Sequence, residues 1–270
     1  MGNVMFQREI EVRHDVDILV VGGGPAGIAA AVAAARQGAK VFLAEGSSCL
    51  GGMGTIGLVP AFMQFTDGKN FLAAGIGEEV LNKMWQYGGK VEGSAYSIKA
   101  EALKRVYDDM VTEAGVDFAF HTQMVAVDAA DGKVNHVVFA AKSGMFAVKA
   151  KIYIDGTGDG DLCAWAGAEF EKGDQNGNMM AGTLCSIWSD VDWDEVKKPD
   201  RRRLEDAFQN KVFTNEDRHL PGMWRVGKSL GGGNIGHTYG VDSTDERSLT
   251  KSLLWGRKSL MEYEKYYKEY

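Results

Sequence analysis

The sequence predicts an α/β fold built on a parallel sheet, and two observations support this. Residues 17–21 (DILVV) and 40–45 (KVFLAE) are short apolar runs of the kind that form parallel strands buried on both faces. Between them, residues 27–37 are rich in alanine, the best helix former, and Gly38 is typical of a helix C-terminus. Together these segments make one β-α-β unit of ordinary length.

The middle of the chain predicts two helices followed by an antiparallel meander. Residues 76–87 favour a short helix, and residues 99–114 place apolar side chains on one helical face. From residue 116 onward, apolar and polar residues alternate around tight turns at 131–132 and 143–144, which predicts hairpins. The expected strands are 117–121, 123–129, 134–141 and 145–150, after which residues 151–155 return to the parallel sheet.

Composition and charge exclude several functional classes. The 270 residues carry a net charge of -7, whereas a nucleic-acid-binding surface needs a basic face. Cys49, Cys163 and Cys185 form no CxxC pair, so we expect reduced thiols and neither a disulfide framework nor a metal site. Residues 18–35 are uncharged, but four glycines and a proline interrupt them, which argues against a membrane span. The charged N-terminus does not fit a signal peptide, and we expect a cytoplasmic location.

The first chemical motif is Gly22-x-Gly24-x-x-Gly27, which follows an apolar run and opens the alanine-rich helix. Gly22 allows a tight turn, Gly24 lets the backbone approach a pyrophosphate, and Gly27 lets the helix pack on the strand. Glu45 ends the second strand, where a carboxylate binds ribose hydroxyls and repels a 2′-phosphate. The combination predicts a site for FAD or NAD rather than NADP.

Two further glycine-rich turns accompany this motif. Residues 51–55 (GGMGT) follow Glu45 at a distance that returns the chain to the pyrophosphate, and their glycines leave room for close approach. Residues 155–161 (DGTGDGD) follow a strand and suggest a second cofactor contact. Asp159 or Asp161 would cap a following helix or meet a ribityl or phosphate group.

The remaining sequence completes the predicted architecture. A capping box at residues 243–246 predicts a long C-terminal helix, whereas residues 170–240 show little periodicity. The predicted fold is a Rossmann-like parallel sheet with a three-stranded antiparallel β-meander and an irregular α+β substrate region. We expect a first domain over residues 15–170, with the meander at 116–150, and a partial substrate or cap region over 171–270.

These motifs resemble the FAD-dependent oxidoreductase family of the glutathione-reductase fold, in the branch with a GGM loop. The resemblance covers residues 15–170 strongly and the remainder weakly. It implies FAD as cofactor and hydride transfer from a C–H bond of a small-molecule substrate to flavin. The segments that carry it are VVGGGPAGIAAAVAA, LAEG, LGGMGT, EALKRVYDDM and YIDGTGDGD.

The resemblance also implies a set of cofactor contacts. Glycines hold the pyrophosphate, an acid holds the adenosine ribose, a strand offers its backbone to adenine, and two later loops complete the site. The implied residues are Gly22, Gly24, Pro25, Ala26 and Gly27, then Glu45 and Gly46, then Gly51, Gly52, Met53 and Thr55, then Met124, and finally Gly156, Gly158 and Asp159.

Substrate chemistry needs a proton acceptor, because flavin performs the redox step itself. His237, in the stretch GGGNIGHTYG, is the candidate base, and Arg225 is the candidate clamp for a substrate carboxylate. His219 and Tyr239 are further candidates. Dithiol chemistry is not expected, because Cys49 has no nearby partner.

Three alternatives stay open. The family has a later flavin-contacting segment within roughly 400 residues, so this chain is expected to be a fragment, or half of a split enzyme that a second chain or a homo-oligomer completes. A thiazole-synthase-like enzyme acting on NAD would share the first motif. A non-catalytic dinucleotide-binding subunit would share it as well.

Overall fold

A computed structural model describes residues 2–91, 96–197, 200–218 and 222–270. The described chain divides into two compact units. The first comprises Met1–Ile56, Gly75–Val80 and Leu103–Phe170, and the second comprises Gly57–Ala74, Leu81–Ala102 and Glu171–Tyr270. In chain order the elements are β1 (Val12–Val21), α1 (Pro25–Arg36), β2 (Val41–Ala44), α2 (Ile76–Met84), α3 (Ala100–Glu113), β3 (Asp117–Ala119), β4 (Gln123–Ala130), β5 (Lys133–Ala141), β6 (Gly144–Asp155), α4 (Asp161–Trp165), β7 (Ser186–Trp188), α5 (Arg201–Gln209), β8 (Met223–Arg225), β9 (Gly231–Gly233) and α6 (Glu246–Glu269).

Within the described residues of the first unit, six strands form one sheet in the order β3-β2-β1-β6-β5-β4. Strand β1 pairs in parallel with both β2 and β6, so that Ile18 lies between Val41 and Ile152. Strands β6, β5 and β4 form an antiparallel meander. The predicted Rossmann-like sheet with a three-stranded meander is therefore confirmed.

Strand β6 belongs to both parts of this sheet. Its beginning pairs antiparallel with β5, and residues 147–155 pair in parallel with β1. The expected break between strands 145–150 and 151–155 is wrong, because one strand of 12 residues spans both segments. Residues 149–152 (KAKI) contain no turn former, so the extended backbone continues through them.

The turn between β4 and β5 has the geometry that its sequence predicts. Asp131 and Gly132 both adopt positive φ, at 53° and 73°. Ala130 and Lys133 pair across this two-residue loop. A two-residue loop with positive φ at both positions is a type I′ turn, whose twist matches that of the flanking strands.

Helices α1 and α3 contribute most of their apolar faces to the core of the first unit. Ile28 and Val32 of α1 are fully buried, and the alanines between them permit close approach to the sheet. Leu103, Val106 and Met110 are fully buried on the predicted face of α3. Each such side chain contributes about 1.5–3 kcal/mol to stability through its removal from water.

The described part of the second unit contains a small antiparallel sheet that the sequence does not predict. Its order is β7-β9-β8, and the central strand β9 consists entirely of glycine. A Cβ on Gly232 would collide with Pro60, and one on Gly233 would lie 2.8 Å from the indole nitrogen of Trp188. Glycine is required here because neighbouring side chains occupy the space that a side chain would need.

The C-terminal helix α6 packs on an aromatic cluster that includes Phe208, Phe213 and Tyr263. The predicted helix is present, but its cap is not at the start of the 243–246 box. Asp245 is the N-cap residue, and its carboxylate accepts a 2.6 Å hydrogen bond from the main-chain N–H of Ser248. The N-cap lies two residues after the predicted Ser243, because the carboxylate of Asp245 accepts a hydrogen bond from a free N–H group in the first turn of the helix.

Among the helices that the structure describes, none combines the length and the apolar character that crossing a bilayer requires.

Candidate functional site

The first glycine turn is packed too tightly for side chains at two of its three motif positions. Gly22 adopts a φ of +96°, and a Cβ there would collide with the carbonyl oxygen of Gly156. A Cβ on Gly27 would collide with the carbonyl oxygen of Gly22. At Gly24, by contrast, the nearest atom to such a Cβ would be 3.8 Å away. Gly22 and Gly27 are thus required by packing, whereas Gly24 leaves open space in front of the turn.

The N-terminus of α1 presents main-chain donors beside this space. Gly24 is its N-cap residue and supplies no capping side chain. Pro25 has no N–H, and the first helical hydrogen bond runs from Ile28 N to Gly24 O at 2.9 Å. The N–H groups of Ala26 and Gly27 precede that bond, and such groups, with the positive end of the helix dipole, bind anions.

Glu45 joins this turn directly. Its Oε2 accepts a 2.6 Å hydrogen bond from the N–H of Gly23, and its Oε1 accepts a 2.7 Å bond from the N–H of Ser47. The side chain is half-buried. The carboxylate therefore points toward the glycine turn.

The second glycine loop lies against the first one. The N–H of Gly51 donates a 2.8 Å hydrogen bond to Gly23 O, and a Cβ on Gly52 would lie 3.2 Å from Gly24 Cα. Thr55 is buried, and its hydroxyl donates to Leu50 O at 2.8 Å. Thr55 therefore holds the loop itself together, whereas Met53 is exposed.

The third loop also meets the first turn through its backbone. The N–H of Gly156 donates a 2.7 Å hydrogen bond to Val21 O. Asp155 accepts hydrogen bonds from Thr157 N and Oγ1 and from Cys163 N, at 2.9, 2.7 and 2.9 Å. Burial alone raises the pKa of Asp155, but these bonds outweigh burial and leave the pKa lowered.

Helix α4 begins directly after the third loop. The N-cap residue is Gly160, and Thr157 Oγ1 accepts the N–H of Asp161 at 2.9 Å. Burial, followed by the charges of Asp159 and Asp155, raises the pKa of Asp161.

A cleft of about 470 Å³ opens at this edge of the sheet. Of the predicted contacts, Gly22, Glu45, Gly46 and Met124 line it. Gly24 belongs to the first turn, and the backbones of the second and third loops contact this turn at Gly51, Gly52 and Gly156. Gly158 and Asp159 belong to the third loop but do not line the described cleft. The lining also includes Asp161, which the sequence offered as a contact for a ribityl or phosphate group. Ser47, Gln123, Thr157 and Trp165 line it as well, and sequence reasoning did not assign them as cofactor contacts.

In the second unit, His237 lies against a buried carboxylate. Its Nδ1 is 2.8 Å from Asp217 Oδ2, which also accepts the main-chain N–H of His237 at 3.0 Å. The side chain of Asp217 is 5% exposed. A Cβ on Gly236 would lie 2.7 Å from the ring of Tyr263, so the loop before His237 is closely packed. Sequence reasoning missed Asp217, because it precedes His237 by 20 residues without a motif.

The other candidates for substrate chemistry are Arg225, Tyr239 and His219. Arg225 is half-buried in β8, and its carbonyl oxygen accepts a 2.7 Å hydrogen bond from the hydroxyl of Ser97. Tyr239 is 64% exposed, with its ring centroid 5.8 Å from that of His237. His219 lies outside the described residues.

The first unit fits a dinucleotide. Gly24 leaves a space that a Cβ would fill, main-chain N–H groups border it, and a carboxylate stands at the adjacent strand end. A Rossmann-like sheet with this crevice at the carboxyl ends of its strands defines a dinucleotide-binding protein. More specifically, residues 17–270 match the model of the FAD dependent oxidoreductase family. The chain belongs to that family, and its cofactor is FAD.

The chain is similar to several solved structures. A geranylgeranyl bacteriochlorophyll reductase-like protein from Thermoplasma acidophilum is 16% identical with a TM-score of 0.53, and the match covers 83% of this chain and 56% of that one. THI4 of Thermovibrio ammonificans is 19% identical with a TM-score of 0.42, covering 56% and 61%. A flavoprotein/dehydrogenase from Cytophaga hutchinsonii is 16% identical with a TM-score of 0.42, covering 58% and 44%. The chain thus spans about half the length of these structures.

Proposed function

We propose that this chain is the FAD-binding part of an oxidoreductase that takes a hydride from a C–H bond of a small molecule. The observation that carries the proposal is the meeting of three glycine loops and one carboxylate in the first unit. The carbonyl oxygen of Gly23 accepts a hydrogen bond from the N–H of Gly51, and the N–H of Gly23 donates one to Glu45. Gly156 packs on Gly22. FAD, when bound, supplies the hydride acceptor.

The proposed cofactor contacts follow the elements of the first unit. The glycine turn and the start of α1 hold the pyrophosphate, and Glu45 with Gly46 holds the adenosine ribose. We assign residues 15–170 as the FAD-binding domain and residues 171–270 as a substrate region. In full, the contacts are Gly22, Gly24, Pro25, Ala26 and Gly27, Glu45 and Gly46, Gly51, Gly52, Met53 and Thr55, Met124, and Gly156, Gly158 and Asp159.

His237 is the proposed proton acceptor. Nδ1 lies 2.8 Å from a carboxylate oxygen without the alignment of a hydrogen bond, and we propose that Nδ1 carries the ring hydrogen, because two acceptors at that separation would repel each other. The neutral ring then keeps a lone pair on Nε2. As the hydride leaves the substrate carbon, Nε2 takes the proton from the adjoining O–H or N–H group. Arg225 is proposed to hold a substrate carboxylate.

We also propose that residues of a second chain, or of a second copy of this one, contribute to the flavin site. Cys49, Cys163 and Cys185 are free thiols, which supports a reducing, cytoplasmic location.

The decisive experiment is spectroscopy on the purified chain. Absorbance bands near ~375 and ~450 nm, which oxidised flavins share, are expected, with FAD identified by mass after release. Anaerobic addition of a panel of small alcohols, amines and hydroxy acids should bleach the longer band. A colourless chain with an NAD-derived adduct would instead support the thiazole-synthase-like alternative. A yellow chain that no substrate reduces would support the non-catalytic subunit.

A further inference from the structure

An exposed tryptophan borders the cofactor cleft without an assigned role. Trp165 ends α4 and lines the cleft together with Glu45 and Met124. Its side chain is 49% exposed, whereas Leu162 of the same helix is 3% exposed and belongs to the core of the sheet. The helix is thus anchored by leucine, and its tryptophan is left partly in water at the wall of a concave site.

Core packing does not account for this ring. Trp188 gives the contrast within the same chain, because its indole N–H donates a 2.9 Å hydrogen bond to Ser186 and its ring packs against that of Tyr267 at 6.0 Å. Trp165 is instead the large aromatic side chain in the described lining of the cleft. A half-exposed indole in a cleft offers flat apolar area that a planar ligand can cover.

The position of Trp165 indicates which planar ligand this is. The cleft is bounded by the end of β2 and the beginning of β4. Glu45 is the proposed ribose contact there, and Met124 is the proposed backbone contact for adenine. Helix α4 packs beside β4, so the indole borders the adenosine end of the site. The neighbouring Gln123 also supplies amide groups that suit the polar edge of a base.

We propose that Trp165 stacks on the adenine ring of FAD and so favours adenine dinucleotides over FMN, an inference that rests on the cofactor site proposed above. The ribose is held by Glu45, and the base is held by an aromatic face. Trp165 of α4 and the backbone of Met124 in β4 then recognise adenine together.

The test compares FAD release from the purified, FAD-loaded chain and from its variants. After dilution, recovery of flavin fluorescence reports the release rate. Trp165→Ala should release FAD roughly tenfold faster, the order expected for one base stacked on one aromatic ring. Trp165→Phe should stay within about threefold of the native protein, because it keeps a stacking face. Trp255→Ala, in α6, is the matched control and should leave release unchanged.

FMN provides the ligand control, because it carries the flavin and one phosphate but no adenine. Its affinity should be equal in the native chain and in Trp165→Ala. A FAD release rate unaffected by Trp165→Ala, in a variant whose circular dichroism and melting temperature match the native chain, would overturn the stacking while leaving the FAD site in place. Equal weakening of FAD and FMN would overturn it too. A native chain that holds no FAD would overturn the cofactor site and this inference together.

Discussion

The main-chain N–H of Gly23 donates a 2.6 Å hydrogen bond to Oε2 of Glu45. The two residues follow the ends of neighbouring parallel strands, where Val21 pairs with Ala44. The carboxylate therefore faces the glycine turn. One short contact brings together the two halves of the proposed dinucleotide site, the turn proposed to bind the pyrophosphate and the acid proposed to bind the ribose.

Replacement of Glu45 by alanine is expected to weaken FAD binding about 10- to 100-fold, because a charged hydrogen bond contributes about 1.5–3 kcal/mol. Titration of the chain with FAD, followed by quenching of flavin fluorescence, gives the dissociation constant. Glu9→Ala removes an exposed charge near the N-terminus and should change nothing. An unaltered constant for Glu45→Ala would remove the ribose role from this residue.

Two alanine substitutions in the first turn should separate folding from binding. Gly27→Ala places a Cβ against the carbonyl oxygen of Gly22, so we expect a loss of about 1–3 kcal/mol in the free energy of unfolding. Gly24→Ala places its Cβ 3.8 Å from the nearest atom, so stability should be nearly native while FAD is lost. Urea denaturation and flavin content measure the two effects. Equal effects of both variants on stability would contradict the assignment.

The first turn could be predicted from sequence because its contacts are local. Gly22, Gly24, Gly27 and Glu45 belong to one β-α-β unit, so their spacing alone determines which of them meet. The hairpin at Asp131 was predictable for the same reason, since two adjacent residues determine the turn. Local periodicity also predicted the buried face of α3.

Features that depend on distant contacts could not be predicted in this way. Strand β9 has the sequence of a flexible loop. Its need for glycine is explained by the side chains of Pro60 and Trp188, which come from other parts of the chain. The place of Trp165 in the cleft likewise depends on α4 packing beside β4. Asp217 and His237 come together because of how the second unit folds rather than through a motif.

Strand β9 consists of three glycines, and we expect that a side chain at its centre destabilises the second unit. Gly232→Ala would drive a Cβ into Pro60 and bring it to 3.0 Å from Val226, so the free energy of unfolding should fall by about 1–3 kcal/mol. Gly182→Ala is the control, because its Cβ would have its nearest atom at an ordinary 3.6 Å. Chemical denaturation of both variants measures the difference. A Gly232→Ala protein as stable as the control would show that Pro60 yields without cost.

His237→Gln should reduce substrate-dependent flavin reduction about 10²- to 10⁴-fold, the usual contribution of a general base. Flavin content should stay native, because His237 is proposed to act on the substrate rather than to hold FAD. Anaerobic stopped-flow absorbance at the flavin band gives the rate for native protein and variant. Native reduction rates in His237→Gln would exclude this histidine as the base.

Asp217→Asn tests how His237 is positioned. The amide can offer an N–H in place of the carboxylate oxygen, which disfavours the tautomer with hydrogen on Nδ1. Flavin reduction should therefore slow, while KM changes less than kcat. A variant in which KM rises as much as kcat falls would indicate that Asp217 only supports the loop.

Asp155 predicts a stability change at acidic pH. Its pKa in the folded chain lies below the ordinary value of 3.8, because hydrogen bonds from Thr157 and Cys163 outweigh the opposing effect of burial. A carboxylate of this kind stabilises the fold fully above the unfolded pKa, and the contribution is lost as pH falls through the folded pKa. The native chain should thus lose stability below about pH 4, and Asp155→Asn should show less of that loss.

At neutral pH the variant should be less stable by about 1 kcal/mol, a modest value because the side chain is partly exposed. Urea denaturation between about pH 3 and 7, the range that includes the titration of carboxylates, measures both effects. Glu169→Gln, at an exposed position, is the control, and a pH dependence in Asp155→Asn identical to that of the control would refute the role of these bonds.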